Sequence, residues 1–261
     1  MFIAGIDIGS GTTKCVLVDE QGVARGRAVV KTKADFEKVA REVLEAAAAG
    51  REVGYVATTG LGRYAVPFRD IQITDLTCGA RGAATLFPST MYVLDIGAQC
   101  SRAIKLRDGG KVKEFHMNEK CAAGSGGFLE RAAKYLEVTI ADIGTMSLEA
   151  QKPQTISSVC AVLAETEIIN HVSEGVAVEN ILRGIHNSLA DRALLLLKRV
   201  GLDGEVTLIG GVALQQGMIV ALREKLGETV NVPEEPHLTA ALGAAVLGLQ
   251  RYRRLTTAAA A

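Results

Sequence analysis

Two stretches of this chain are versions of one pattern. DIGSGTTKCVLVDEQGV begins at Asp7, and DIGAQCSRAIKLRDGGKV begins at Asp95. At an offset of 88 residues, Asp7 pairs with Asp95, Gly9 with Gly97 and Lys14 with Arg102. A turn follows in both copies, at Gly22 and at Gly110. An apolar strand precedes each aspartate and another strand follows it. A β-hairpin module used twice predicts an α/β chain made of two related halves facing a cleft. The length of 261 residues allows one large domain or two modest ones. With 48% apolar and 22% charged residues, the chain can bury a substantial core.

Hydrophobic periodicity places the remaining elements. Strands are expected at residues 2–8, 14–19, 23–30, 53–58, 91–96 and 205–209, with Glu20-Gln21-Gly22 as a hairpin turn. Residues 35–49 carry Phe36, Val39, Val43 and Leu44 at helical spacing, with Asp35 either the N-cap or a first-turn acid. Further helices are expected at 125–137, 139–150, 160–173, 178–200, 214–226 and 237–252. Pro233 and Pro236 fall in the break before the last of these, and the tail TTAAAA is expected to be loose.

Charge narrows the function classes. Lys plus Arg equals Asp plus Glu, 29 each, which argues against a nucleic-acid or membrane-surface protein. No apolar run approaches the ~20 residues of a membrane span. The N-terminus lacks the basic and apolar regions of a signal peptide, so a cytoplasmic location is expected. The five cysteines are odd in number and widely spread, which suits thiols or metal ligands in a reducing compartment.

The glycines of DIGSGTTK fit neither a Walker A loop nor a Rossmann loop, because the residues behind them form a strand. A strand, a tight turn and a second strand remain. Gly9, Ser10, Gly11, Thr12 and Thr13 can offer backbone N–H groups and hydroxyls to phosphate oxygens. Asp7, at the strand end, suits a water bound to Mg²⁺. Lys14 either adds positive charge there or points outward. An ordinary glycine hairpin explains one such copy; two copies, with Gly97 in the second, point to nucleotide. IGGVA, with Gly210, Gly211, Val212 and Ala213, would let an adenosine lie against backbone.

DIGSGTTK, LDIGAQCSR and IGGVA together resemble the two phosphate loops and the adenosine loop of the superfamily of actin, sugar kinases and heat-shock chaperone ATPases. The resemblance implies an actin-like, ribonuclease H-like ATPase fold. One subdomain would comprise residues 1–90 plus 243–261, and the other residues 91–242 with both candidate cluster cysteines. Mg-ATP would bind between them, with Asp95 and Gln99 near the γ-phosphate and the attacking water. Glu165, in AETE, resembles the superfamily's acidic residue near the nucleotide; on spacing alone it is equally a helix-surface glutamate.

Two cysteines stand near expected helix starts: Cys121 in NEKCAAGSGGFLE and Cys160 in SSVCAVLAETEIIN. Unpaired N–H groups and the positive end of the helix dipole favour a thiolate at such places. A buried hydrophobe is the competing reading of any single cysteine. These two motifs resemble those of the activator ATPases of 2-hydroxyacyl-CoA dehydratases and of the ATPase subunits of benzoyl-CoA reductase. That family implies one 4Fe–4S cluster per dimer, held by Cys121 and Cys160 of each subunit. Gly124, Ser125 and Gly126 would lie near the ATP or ADP. The dimer would be a homodimer or a heterodimer with a paralogous ATPase subunit. Its partner would be an iron–sulfur CoA-ester reductase or dehydratase, to which it passes a low-potential electron. Ala98, YVATTG, CAVLAETEIIN and ENILRGIH look closer to the benzoyl-CoA reductase branch. Cys100 replaces the acidic residue usual in the dehydratase activators, while Cys15, Cys78 and Cys100 read as structural. The rivals are a small-molecule kinase of the same fold and a nucleotide-dependent scaffold.

Overall fold

The computed structural model describes residues 1–118, 124–227 and 230–259. By internal contacts the chain forms two compact units. Unit one comprises Met1–Ser89, Leu106–Val112 and Leu238–Ala261; unit two comprises Thr90–Lys105 and Lys113–His237.

Unit one is built on β1 (Phe2–Ile8), β2 (Thr12–Val18), β3 (Ala24–Lys31), β4 (Val53–Gly60) and β5 (Ile71–Gln72). Their order is β3-β2-β1-β4-β5, with β1 antiparallel to β2 and parallel to β4. Side chains alternate across a strand, so β1 serves two cores. Ala4, Ile6 and Ile8 join Ala40, Val43 and Ala47 of α1 (Phe36–Ala48). Ile3 joins Ala241, Ala245 and Leu249 of α8 (Thr239–Ala259) on the other face. Burial on both faces explains why β1 reads as a continuous apolar run. The Asp35 carboxylate accepts from the Lys38 N–H at 3.0 Å, which makes it the N-cap of α1.

Helix α2 (Asp75–Leu86) has no counterpart among the expected helices. Gly79 and Gly82 lower its intrinsic propensity. Packing forms it: a Cβ on Gly82 would run into the Thr239 carbonyl of α8. At the chain end, α8 continues through Ala259, which corrects the expectation of a loose tail from residue 256. The Thr256 and Thr257 hydroxyls donate to carbonyls one turn back, at Tyr252 and Arg253, and support this extension.

Unit two repeats the arrangement. Strands β6 (Tyr92–Ile96), β7 (Ser101–Arg107), β8 (Lys111–Asn118), β9 (Val206–Ile209) and β10 (Val230–Asn231) lie in the order β10-β9-β6-β7-β8. This is the first sheet's order with each strand replaced by its counterpart five places on. Again the first strand is antiparallel to the second and parallel to the fourth. Helices α3 (Gly126–Tyr135), α4 (Ile143–Met146), α5 (Ala161–Ser173), α6 (Val178–Arg199) and α7 (Gln216–Leu226) complete it. Tyr92, Leu94 and Ile96 meet Phe128, Leu182, Ile185 and Leu222 in one core. The expected helix 139–150 is corrected to the single turn of α4 followed by a 3₁₀ turn at Ser147–Glu149. Its first residues form a turn instead, in which Thr139 Oγ1 donates to Asp142 Oδ2 at 2.6 Å. Among the described residues no helix is long and apolar enough to cross a membrane.

Candidate functional site

In unit one, the antiparallel register of β1 and β2 sets Asp7 opposite Lys14. Lys14 Nζ donates to Asp7 Oδ2 at 3.1 Å, and both side chains are largely buried. Lys14 therefore turns toward the carboxylate and not outward. The turn between them is closed by the Gly9 N–H donating to the Thr12 carbonyl at 3.2 Å. Thr32 braces it: its Oγ1 donates to the Gly9 carbonyl at 2.8 Å and lies 2.9 Å from Thr13 Oγ1. Thr13 thus faces inward, while Ser10, Gly11 and Thr12 keep exposure to solvent.

Unit two uses the same construction. Asp95 opposes Arg102, whose Nη1 donates to Asp95 Oδ2 at 2.9 Å. The Gly97 N–H donates to the Cys100 carbonyl at 2.9 Å, as Gly9 does to Thr12. Gln99 is exposed on this loop. The start of α3 rests on it: the Gly126 N–H donates to the Gly97 carbonyl at 2.9 Å, and the Gly127 N–H to the Ala98 carbonyl at 2.8 Å. Two of the helix's unsatisfied first-turn amides are thereby met by this hairpin loop. Ser101 Oγ donates to the Gly124 carbonyl, and Ser125 is buried at the N-cap position. A Cβ on Gly126 would lie 3.2 Å from Val212 Cγ2, so the adenosine-loop candidate meets the same place. The structure therefore brings together Gly97, Gly124, Ser125, Gly126 and Val212. Gly210 opens the 3₁₀ turn that carries Gly211, Val212 and Ala213.

The glycine at the end of the neighbouring parallel strand is a shared feature absent from the sequence expectations. Gly60 ends β4 with φ +84°, and Gly210 follows β9 with φ +91°. A Cβ on Gly60 would run into Asp7 Oδ1 and Ile8 backbone. A Cβ on Gly210 would lie 2.6 Å from Asp95 Oδ1 and 2.8 Å from the Ile96 carbonyl carbon. Positive φ and close approach both require glycine at these two positions. The TTG of β4 is plain in the sequence, but nothing in one sequence matches it to IGG.

Cys160 caps α5 with extended backbone. The N–H groups of Leu163 and Val162 hold its thiol below the usual range, aided by the Arg192 charge and opposed by partial burial and Glu165. The preceding loop is pinned by the Ser157 N–H donating to Glu167 Oε2 at 2.6 Å and by Ser188 Oγ donating to the Ser157 carbonyl at 3.0 Å. Around the thiol, Val159, Val162 and Leu163 are 80%, 68% and 54% exposed. Cys15 and Cys78, by contrast, lie in the unit-one core, where burial pushes both thiols up to about 12. Glu165 accepts from Arg131 Nε of α3 at 2.6 Å and lies 3.3 Å from the Tyr135 hydroxyl. The expected ligand Cys121 lies outside the described residues. Among those residues no group of three or more His, Cys, Asp or Glu could hold a metal ion.

Two five-stranded sheets of matching order, each with an Asp-bearing hairpin loop and a glycine closing on that carboxylate, define an actin-like ATPase fold. The chain belongs to the BadF/BadG/BcrA/BcrD ATPase family, which it matches over residues 4–248. It is 42% identical to a benzoyl-CoA reductase subunit of Thauera aromatica over 269 residues, covering 97% of this chain and 94% of that one. It is 37% identical to the 2-hydroxyisocaproyl-CoA dehydratase activator of Clostridioides difficile over 253 residues, covering 94% of each. The solved structure of the Clostridium difficile activator with bound ADPNP superposes with a TM-score of 0.93 at 35% identity, over 98% of this chain and 97% of that one. The protein is an ATP-binding ATPase.

Proposed function

We propose that this ATPase couples nucleotide hydrolysis to delivery of a low-potential electron into an iron–sulfur partner acting on CoA thioesters, as the ATPase subunit of a benzoyl-CoA reductase. The carrying observation is Cys160: a half-exposed thiol, favoured as thiolate by helix N–H groups, ringed by exposed apolar residues. The higher identity to the benzoyl-CoA reductase subunit supports that branch, as does Ala98 in the second loop. Service as activator of a 2-hydroxyacyl-CoA dehydratase is the second reading, supported by the 37% identity to one such activator.

The donor chemistry at Cys160 fits a 4Fe–4S cluster shared by two subunits, with Cys160 and Cys121 of each as ligands. When bound, such a cluster supplies one-electron transfer, with a potential set by charge, hydrogen bonds and exposure. Val159, Val162 and Leu163 offer the apolar surface against which a second subunit, identical or paralogous, would exclude water. Each hairpin loop would present backbone amides to phosphate oxygens, and Asp7 would hold a Mg²⁺-bound water. Asp95 and Gln99 position the water that attacks the γ-phosphate. Arg131 and Glu165 link α3, seated on the second phosphate loop, to α5, which starts at Cys160. Movement of that loop on phosphate release thus has a short mechanical route to the cysteine. The setting is an oxygen-free cytoplasm.

Anaerobically purified protein should contain about four Fe per dimer and bleach with dithionite. Cys160→Ser should lose the iron and still bind nucleotide. Iron retained at full stoichiometry in Cys160→Ser would sink the ligand assignment.

A further inference from the structure

The two aspartates are held in the same way on both oxygens. Oδ2 receives the cross-strand cation, Lys14 in one unit and Arg102 in the other, and Oδ1 faces the glycine that ends the neighbouring parallel strand. The cation differs, and the difference has chemical content. An ammonium on a flexible stem is a point charge that can leave the carboxylate for a phosphate oxygen. A guanidinium is a rigid planar fork that fixes the orientation of what it holds. Arg102 is only 15% exposed at its side chain, as is Asp95, so water competes little for this contact.

We infer that Arg102 is a positioning residue for ATP hydrolysis, acting through Asp95. This rests on the reading of Asp95 as a group that orients the attacking water. The guanidinium Nη1 holds Oδ2 and the Gly210 backbone bounds Oδ1, so the rotation of the carboxylate is restricted. A water held by that carboxylate inherits its direction, and misplacing it by about 1 Å costs up to roughly 100-fold in rate. Lys14 opposite Asp7 has no such demand, since a carboxylate reaching a metal through water tolerates small changes of orientation.

The test measures ATPase kcat and nucleotide Kd for Arg102→Met, Arg102→Gln, Arg102→Lys, Asp95→Asn and the double variant Asp95→Asn with Arg102→Met. Both neutral variants should lose roughly 10- to 100-fold in kcat with Kd within about 2-fold. Arg102→Lys, which keeps the charge and loses the planar fork, should recover only part of the rate. The double variant should be no slower than Asp95→Asn alone, because the two residues act as one unit. Unchanged kcat in a neutral variant overturns the proposal, and so does a rise in Kd matching the fall in kcat. Insolubility of both neutral variants, or additive losses in the double variant, would mark Arg102 as structural and overturn it as well. If Asp95→Asn itself keeps full activity, the reading of Asp95 is what fails. If Asp95→Asn is inactive while Arg102→Met is not, only the inference about Arg102 fails.

Discussion

Unit one and unit two share a framework and differ in what they do with cysteine. Both carry an aspartate at the end of a central strand, a cation across the hairpin and a glycine beside the carboxylate. In unit one Cys15 and Cys78 sit in the core, where burial raises the thiol. In unit two Cys160 stands at a helix N-terminus where backbone N–H groups lower it. The lesson is that a duplicated hairpin scaffold leaves thiol chemistry to local placement. The same residue is a buried hydrophobe under a sheet and a thiol biased toward thiolate at a helix start.

The largest expected effect tests that contrast directly. The Cys15 and Cys78 thiols move from 9.0 to about 12, which leaves about 1000-fold less thiolate than an ordinary cysteine near neutral pH. Iodoacetamide on the folded chain, treated with chelator, should label Cys160 rapidly and leave Cys15 and Cys78 unlabelled until unfolding, as read by peptide mass spectrometry. Comparable rates at Cys78 and Cys160 would erase the distinction.

Next come the paired glycines. Gly60→Val and Gly210→Val each combine a positive φ with collision against the carboxylate. Each should cost about 4 kcal/mol, measured by urea unfolding. A tolerated valine at one site alone would show that the two carboxylates are not built alike.

A third difference is acid sensitivity. His186 is fully buried on α6, and burial together with the Arg183 charge lowers it from 6.5 to about 4. The folded state therefore binds its proton less readily than the unfolded chain. The stability it permits is complete above about pH 6.5 and falls as pH drops toward 4, by about 3 kcal/mol. Thermal melts from pH 7 to 4 should show this slope in the wild type and lose it in His186→Leu.

The smallest effect concerns the link from α3 to α5. The Arg131–Glu165 pair is partly exposed, so Arg131→Ala should cost less than about 1 kcal/mol in urea unfolding. A larger loss would make the pair part of the core and not a connection between the Gly97–Ala98 loop and Cys160.

Local pattern makes much of this legible. The repeated Asp-x-Gly hairpins, the N-cap of α1 and the long period of α6 rest on contacts within a few residues, which composition and spacing record. The Asp7–Lys14 and Asp95–Arg102 pairs are not legible in this way, because the sequence leaves Lys14 free to point outward and strand register turns it inward. Helix α2 stays hidden because its glycines serve packing against α8 and contradict its own propensity.

By itself the sequence determined the two hairpins, their offset and the family they belong to. Tertiary structure decided which glycine closes on which carboxylate, where the cations point and which thiols are buried. Gly60 follows Asp7 by 53 residues and Gly210 follows Asp95 by 115, so no fixed offset relates them. Parallel strand pairing joins residues across connections of any length, and burial is a property of neighbours that the chain order does not record.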